Sequence, residues 1–317
     1  MRTKIQPKSE LYQLLTPQQI ADLAESLIEH RELPRQYGYV GTGAQHWNQQ
    51  STEELSPATN RLLNADQAYL SELISRRERW DVVDLGAGNG LPARPLLSWL
   101  VDAGRMGRYV ATDISADMLR MAEHNIRTWF DGAVPFEGHI IDLARQPFAT
   151  HVGRTPRLVL HFGNTLFNLR NRDQAFGMVH DNMTANDFLI QEQYVDSPQD
   201  RLTRSARNLG PAQRLPPGRR FLVDLLGIGE DLYTLESGYD LQRSERFERI
   251  RLTTGASIRF DAGPVVDLDA GESLLVIRNP IHGRAESLAK LGEYGFTTPH
   301  VHHSDDERRL LTVSTVA

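Results

Sequence analysis

Trp80 to Leu100 reads WDVVDLGAGNGLPARPLLSWL. An apolar run closes on Asp84, Gly86, Gly88 and Gly90 follow at alternate positions, and apolar residues then resume at helical spacing. Glycines in such a bend permit positive φ and let a ligand approach the backbone where a side chain would collide. Asp113 ends a second apolar run in VATDIS, and Asp142 ends a third in HIIDLA. In an open α/β sheet, ligands bind outside the carboxyl ends of the strands where strand order reverses, so these acids are expected on one crevice. A carboxylate there accepts the hydrogen bonds of a ribose diol, or meets an amino group or a positive charge.

That acidity selects among ligands. A dinucleotide fingerprint needs G-x-G-x-x-G, with the pyrophosphate against backbone amides at a helix start. Here the third glycine position falls at Leu91, and Pro92 removes an amide donor from the first turn. S-adenosylmethionine carries a sulfonium, an ammonium and a ribose diol but no phosphate, and it fits better. The residues expected to hold this cofactor are Asp84, Gly86, Ala87, Gly88, Asp113, Ile114, Asp142, Leu143, Phe162 and Gly163. Plainer roles stay open at this point: a structural turn, Asp113 as the cap of a helix SADMLRMAEHN, and Asp142 as a solvated loop acid.

The elements that position these residues follow from periodicity. Strands are predicted at DVVDLG, RYVATDI, VPFEGHIIDL, RLVLHFG and DFLIQEQYV, with helices near 91 to 103, 116 to 129 and 170 to 182. Short apolar runs alternating with helical ones predict a parallel sheet with crossovers. Upstream, Thr16 is a candidate N-cap with Pro17 at the first helical position, and Ile20, Leu23 and Leu27 share a face. LPRQYGYVGTGAQHW is expected to be an ordered loop, and SPATNRLLNADQAYLSELISRRE a second helix.

Residues 197 to 220 are polar and rich in Arg and Pro, so the sheet is expected to be interrupted there. Gly227 to Leu268 predicts a helix or two followed by alternating strands. ESLLVIRNP and RRLLTVSTV are expected to return to the first sheet, the last strand as an antiparallel edge hairpin. This places one domain at 60–197 and 270–317 and a second at 1–59 and 198–269.

With 317 residues and 40% hydrophobic content, the chain has the composition of a globular protein with a sizeable core. The net charge of −6 comes from mixed signs with no basic block, which argues against nucleic acid. There are no cysteines, which excludes disulfides, thiolate nucleophiles and cysteine zinc sites. The first residues lack an apolar segment of signal-peptide length, and no later window approaches a membrane span, so a cytoplasmic protein without a membrane partner is expected.

LVLHFGNTLFNLRNRDQAF, LPRQYGYVGTGAQHW and the tail GESLLVIR with LAKLGEYGF together resemble the histidine-specific α-amino methyltransferases of ergothioneine biosynthesis and their relatives, including the ergot-pathway N-methyltransferase. The resemblance runs from about Leu33 to the end and is patchy outside these motifs. It implies an α/β fold: a Rossmann-like class I methyltransferase sheet with an antiparallel last strand. It also implies a second, α+β substrate domain formed by the N-terminal segment and an insertion. Asn168 would anchor the amino-acid backbone of the acceptor, with Phe167 where the family has glycine, and Gly163, Asn164 and Thr165 would shape the floor beside the donor. Tyr39, and less directly Tyr37, would lie near the transferred methyl, so Tyr39 and Asn168 are the catalytic candidates.

The departures are informative. The family's EYYPTR tyrosine has no counterpart in NQQSTEELSPATN, and a later substrate tyrosine has none in DSPQDRLTRSARN. The glutamate and serine that grip the histidine imidazole correspond to Ile277 and Asn279. An apolar residue accepts no hydrogen bond, and loss of a built-in polar partner removes orders of magnitude of discrimination, so a substrate other than histidine is expected. Glu192 and Tyr194, at a strand's carboxyl end, are further acceptor candidates, and Arg278 would pair either with an acidic substrate group or with an ordinary ionic partner.

The expected reaction is methyl transfer to the amine of an amino acid or a related small molecule. An O- or C-methyltransferase and a catalytically silent binding protein stand as alternatives on the same scaffold. An NAD-dependent oxidoreductase is disfavoured by the missing third glycine and the lack of a proton-relay dyad. The tract TTPHVHHSDDE offers His300, His302, His303, Asp305 and Asp306, but its expected place in a hairpin loop makes no metal site the preferred reading.

Overall fold

The computed structural model describes residues 2–152, 156–197, 200 and 214–316. In chain order the N-terminal elements are β1 (Thr3–Ile5), α1 (Ser9–Leu14), α2 (Pro17–Glu29), α3 (Gly41–Gln50), α4 (Ser56–Ala65) and α5 (Gln67–Ser75). Then come β2 (Trp80–Leu85), α6 (Arg94–Asp102), β3 (Met106–Asp113), α7 (Ala116–Phe130), β4 (Phe136–Ile140), β5 (Arg157–Phe162), α8 (Arg172–Asp181) and β6 (Phe188–Tyr194). The remainder comprises α9 (Pro217–Leu225), β7 (Tyr233–Asp240), β8 (Glu245–Leu252), β9 (Ala256–Arg259), β10 (Val265–Leu268), β11 (Ser273–Pro280), α10 (Arg284–Glu293), β12 (Thr297–His303) and β13 (Arg309–Thr315).

The chain divides into two compact units. One comprises Met1–Trp47 and Gln199–Pro280, the other Asn48–Pro198 and Ile281–Ala317. In the second unit, seven strands run in the order β12-β13-β6-β5-β2-β3-β4. β6, β5, β2, β3 and β4 are mutually parallel, and β13 is antiparallel to both its neighbours. From β2 the chain steps outward through β3 to β4, then returns to the other side of β2 as β5. Strand order therefore reverses between β2 and β5, the position at which such sheets open a ligand crevice.

Alternate residues of each strand feed opposite faces, as a doubly covered sheet requires. Val82, Leu158, Leu160 and Ile190 pack with Leu62, Leu70, Leu96 and Leu97 on one face. Val83, Leu85, Val159 and Leu189 pack with Phe176, Val179 and Leu291 on the other. Arg157 and Asp187 form a buried ion pair at the foot of β5, where Asp187 also accepts the Arg157 and Thr184 backbone N–H groups.

The first unit holds two three-stranded sheets, β1-β9-β10 and β11-β8-β7. The second of these is antiparallel throughout. α2 begins at Thr16 as expected, in a capping box: Thr16 Oγ1 accepts the Gln19 N–H, and Gln19 Oε1 accepts the Thr16 N–H at 2.8 Å. Ile20, Leu23, Ala24 and Leu27 form its buried face.

Several expectations are corrected. ESLLVIRNP is β11, paired with β8 in the small antiparallel sheet, so residues 270–280 belong with the first unit and 48–59 with the second. The returning hairpin is β12–β13 instead. The last strand is interior, between β6 and β12, and TTPHVHH is the edge strand rather than a loop. The run 56–78 is two helices broken at Asp66, and α9 precedes Gly227, after which strands follow one short 3-10 turn. β1 has too few residues to show a period. The interruption expected at 197 to 220 falls largely outside the described residues.

The supposed loop at 33–47 contains a 3-10 turn at Arg35–Gly38 and the helix α3. Glycine lowers intrinsic helix propensity, which is why the sequence misleads. Tertiary packing overrides it, because a Cβ on Gly43 would lie 2.2 Å from the Gly38 carbonyl oxygen and 2.7 Å from Phe221 Cδ1. Gly43→Ala, though it raises helix propensity, should therefore destabilise the protein by about 1–3 kcal/mol in denaturant unfolding, since overpacking outweighs propensity.

Candidate functional site

Three short segments meet at the carboxyl ends of β2, β3 and β5. The bend after β2 is built from Gly86, Gly88 and Gly90, with φ of +69°, +56° and +73°. Its backbone is tied to β3: the Ala87 N–H donates to the Thr112 carbonyl at 2.9 Å, and the Gly88 N–H to Asp113 Oδ2 at 3.0 Å. The other Asp113 oxygen accepts the Ser115 N–H at 3.0 Å. Asp113 therefore does not cap α7; Ser115 does, through Met118 N–H.

Asp113 keeps acceptor capacity beyond these backbone bonds, so a ribose hydroxyl can still donate to it. Burial holds Asp113 up at about 6, offset in part by the backbone N–H groups of Ser115, Gly88 and Ile114. Asp84 is buried more tightly, at 3% exposure, and Tyr109 donates its hydroxyl to Asp84 Oδ2 at 2.6 Å. Burial raises Asp84 to about 7, opposed by the Tyr109 bond and reinforced by the nearby Asp113 charge. Asp84 is the underside of the bend, engaged by Tyr109.

Asp142 lies two residues beyond β4, which is shorter than expected, and is half-buried. The preceding Ile141 N–H donates to the Asp113 carbonyl at 2.9 Å, bringing this loop to the same end of the sheet. Asp142 Oδ1 accepts the Ala144 N–H at 3.0 Å. Leu143 is buried and Ile114 half-buried beside these acids in sequence.

After β5, Phe162 is buried and Gly163 turns the chain at φ +93°. The Asn168 N–H donates to the Asn164 carbonyl at 2.8 Å, closing the turn. Thr165 fills the space against the glycine bend: a Cβ on Gly86 would lie 2.5 Å from Thr165 Oγ1. Asn168 is no helix cap, since α8 is capped at Asn171, and its Oδ1 is buried without a hydrogen-bond partner.

Glu192 is 1% exposed, and its oxygens are taken by Arg309 Nη1 at 2.6 Å and Thr59 Oγ1 at 3.2 Å. It is a buried ion pair, neither a solvated strand end nor a group free for an acceptor. Arg309 also stacks over the half-buried Tyr194 ring. His300 Nε2 meets Asp66 Oδ2 at 2.7 Å with Tyr69 stacked on the imidazole, and His302 lies 3.8 Å from Asp66 Oδ1. Among the described residues no group of three or more His, Asp or Glu is arranged to hold a metal, and no helix is long and apolar enough to cross a membrane.

The remaining candidates belong to the first unit. Tyr37 is buried, and its hydroxyl donates to Asp22 Oδ2 at 3.3 Å. The Tyr39 hydroxyl accepts the Arg35 Nε–H at 2.7 Å, and its ring meets Trp47 edge-on. In β11, Ile277 is buried opposite Glu248, and Asn279 half-buried opposite Arg246. Arg278 has an ionic partner, pairing with Glu32 at 3.1 Å and Glu245 at 3.8 Å.

Sequence reasoning missed Tyr109 and Asn89, whereas Thr165, expected beside the donor, packs against Gly86. Asn89 accepts the Leu91 N–H, donates to Asn48 Oδ1, and receives Asn125 on its carbonyl. Only the Asn-Gly pair inside the bend hinted at it.

A bend free of phosphate-binding features, capped by an acid on the adjoining strand and set where strand order reverses, suits a sulfonium nucleoside. The protein is a SAM-dependent methyltransferase built on a Rossmann-like class I sheet. Residues 19–201 match the family model of histidine-specific, SAM-dependent methyltransferases, and the chain belongs to that family. No curated protein matches it.

Among solved structures it is similar to a S-adenosylmethionine-dependent methyltransferase from Clostridium acetobutylicum, with 10% identity, 81% of this chain and 92% of that chain covered, and a TM-score of 0.47. The CcbJ methyltransferase from Streptomyces caelestis has 14% identity, 81% and 90% coverage and a TM-score of 0.47. Magnesium protoporphyrin IX methyltransferase from Synechocystis has 12% identity, 89% and 98% coverage and a TM-score of 0.44.

Because the folded-state pKa of Asp84 lies above that of the unfolded chain, its contribution to stability is full below about pH 4 and is lost as pH rises through about 7. Asp84→Asn should therefore gain stability relative to wild type on going from acidic to mildly alkaline buffer, by on the order of a few kcal/mol in denaturant unfolding.

Proposed function

We propose that this enzyme methylates the amine of an amino acid, or of a small molecule derived from one, other than histidine. The reading is carried by Asn168 Oδ1, a buried acceptor without a partner in the turn whose Thr165 packs on Gly86. A carbonyl oxygen in that position takes an N–H, so an acceptor amine is held with its lone pair free to point elsewhere. Family membership supports an amino-acid acceptor, and Ile277 argues against imidazole because it offers no hydrogen bond.

The residues around the bend fit the donor. Asp113 would accept from the ribose with its remaining acceptor capacity, while Gly86, Gly88 and Gly163 keep the backbone bare. Asp84 acts from beneath, through Tyr109. Asp142, Leu143, Ile114 and Phe162 would line the nucleoside. When bound, the donor supplies a methyl group on a sulfonium, which already has a good leaving group.

The protein's share of the reaction is alignment at near-attack distance and retention of the amine in its neutral form. No strong base is demanded. Asn168 orients the acceptor.

Calorimetry with S-adenosylhomocysteine and NAD, followed by mass spectrometry of an amino-acid and amine panel, tests this reading. S-adenosylhomocysteine should bind and NAD should not. Asp113→Ala should weaken S-adenosylhomocysteine by about 10- to 100-fold, the worth of hydrogen bonds to a charged group. Asn168→Ala should raise the acceptor KM by a similar factor, about 10-fold or more, with donor affinity unchanged. Transfer only to hydroxyl or carbon acceptors, or preferred methylation of histidine, would overturn the assignment.

A further inference from the structure

Beneath the Gly163–Asn168 turn lies His161, the penultimate residue of β5, which is wholly inaccessible to solvent. Its Nε2 accepts the Leu166 backbone N–H at 3.2 Å. A ring nitrogen that accepts an amide proton bears none of its own, so the neutral imidazole carries its hydrogen on Nδ1. The rings of Phe167 and Phe176 enclose it, at centroid separations of 5.5 and 5.9 Å. Burial lowers its pKa to about 4, opposed by Gln191.

The register explains the ring's other side. His161 is paired with Gln191 on β6, and Gln191 with Thr312 on β13, so the three side chains share one face of the sheet as direct neighbours. All three are fully buried. His161 Nδ1, both polar atoms of the Gln191 amide and Thr312 Oγ1 make no formal hydrogen bond. This polar row lies on the face beneath α8 and α10 and offers the Nδ1–H side of the imidazole a polar neighbour in Gln191, while Nε2 is kept for the turn.

The other hydrogen bonds named here, Asn168 N–H to the Asn164 carbonyl and Leu169 N–H to the Leu166 carbonyl, are internal to the turn, whereas the His161 bond ties it to the sheet. We infer that His161 is a positioning residue: as a permanent acceptor for the Leu166 N–H, it sets the placement of Asn168 and of Thr165 against Gly86. It touches neither substrate and exchanges no proton. Its consequence for the acceptor rests on the reading of Asn168 given above, whereas its consequence for the donor bend follows from the Thr165–Gly86 contact alone.

His161→Phe keeps a ring of similar size but removes the acceptor, and His161→Gln offers Oε1 at about the reach of Nε2. With folding verified by circular dichroism, His161→Phe should weaken S-adenosylhomocysteine binding by about tenfold and accelerate Leu166 amide exchange, the effect of losing one buried hydrogen bond. His161→Gln should return the affinity to within about threefold of wild type. Wild-type affinity in His161→Phe, or a folded His161→Gln no better than His161→Phe, overturns the inference. Should the variants fail to fold, nitrogen-15 NMR of the wild type decides. A protonated Nδ1 and bare Nε2, unchanged from about pH 5.5 to 8, are expected, and a titrating ring or the opposite tautomer overturns the inference. A protein with these His161 properties that methylates no amine would refute the functional reading alone.

Discussion

Two carboxylates buried side by side beneath one glycine bend are the constraint on which the rest of the site depends. Among the described residues no arginine or lysine pairs with Asp84 or Asp113; their hydrogen-bond partners are a tyrosine hydroxyl and backbone N–H groups. Removing charge from water without a counterion is unfavourable, and both groups respond by holding their protons to unusually high pH. The arrangement makes sense if something with hydroxyl donors and positive charge completes it. Thr165 packs against Gly86 from the β5 side, leaving no room for a side chain on the bend there.

The sheet supplies the rigidity that this constraint needs. β2 lies between β3 and β5, in register with both, so the acid of β3, the bend of β2 and the turn after β5 are held within a few residues of the same level. Both faces are covered by apolar packing. Elsewhere in the unit lie two buried ion pairs, Arg157 with Asp187 and Arg309 with Glu192. Pairs of this kind contribute less to net stability than to a single arrangement of the elements they join. The unpaired acids of the bend stand out against that background.

In the first unit the conspicuous chemistry is ionic. Arg278 joins Glu32 to Glu245, and Glu248 takes both Arg219 and Arg246. These links tie the segment after α2, the helix α9 and the sheet β11-β8-β7 into one body. Ile277 is buried in the same sheet, with Glu248 as its cross-strand neighbour.

The local signals in the sequence determined a large part of this molecule. Alternation of short apolar runs with helical ones located β2, β3, β5 and β6, because a strand buried on both faces reads as a largely apolar run. The Gly-x-Gly-x-Gly spacing marked the bend, because positive φ at successive alternate positions is affordable only to glycine. Tertiary structure alone decided which sheet β11 joined, that β13 would lie inside β12, and that glycine-rich residues after Val40 would be a helix. Those outcomes depend on partners far away in sequence, which local pattern does not encode. It also decided that Asp84 would face Tyr109 and that Glu192 would close on Arg309. A side chain's hydrogen-bond partner is set by what the fold brings within about 3 Å of it, and no spacing along the chain carries that distance.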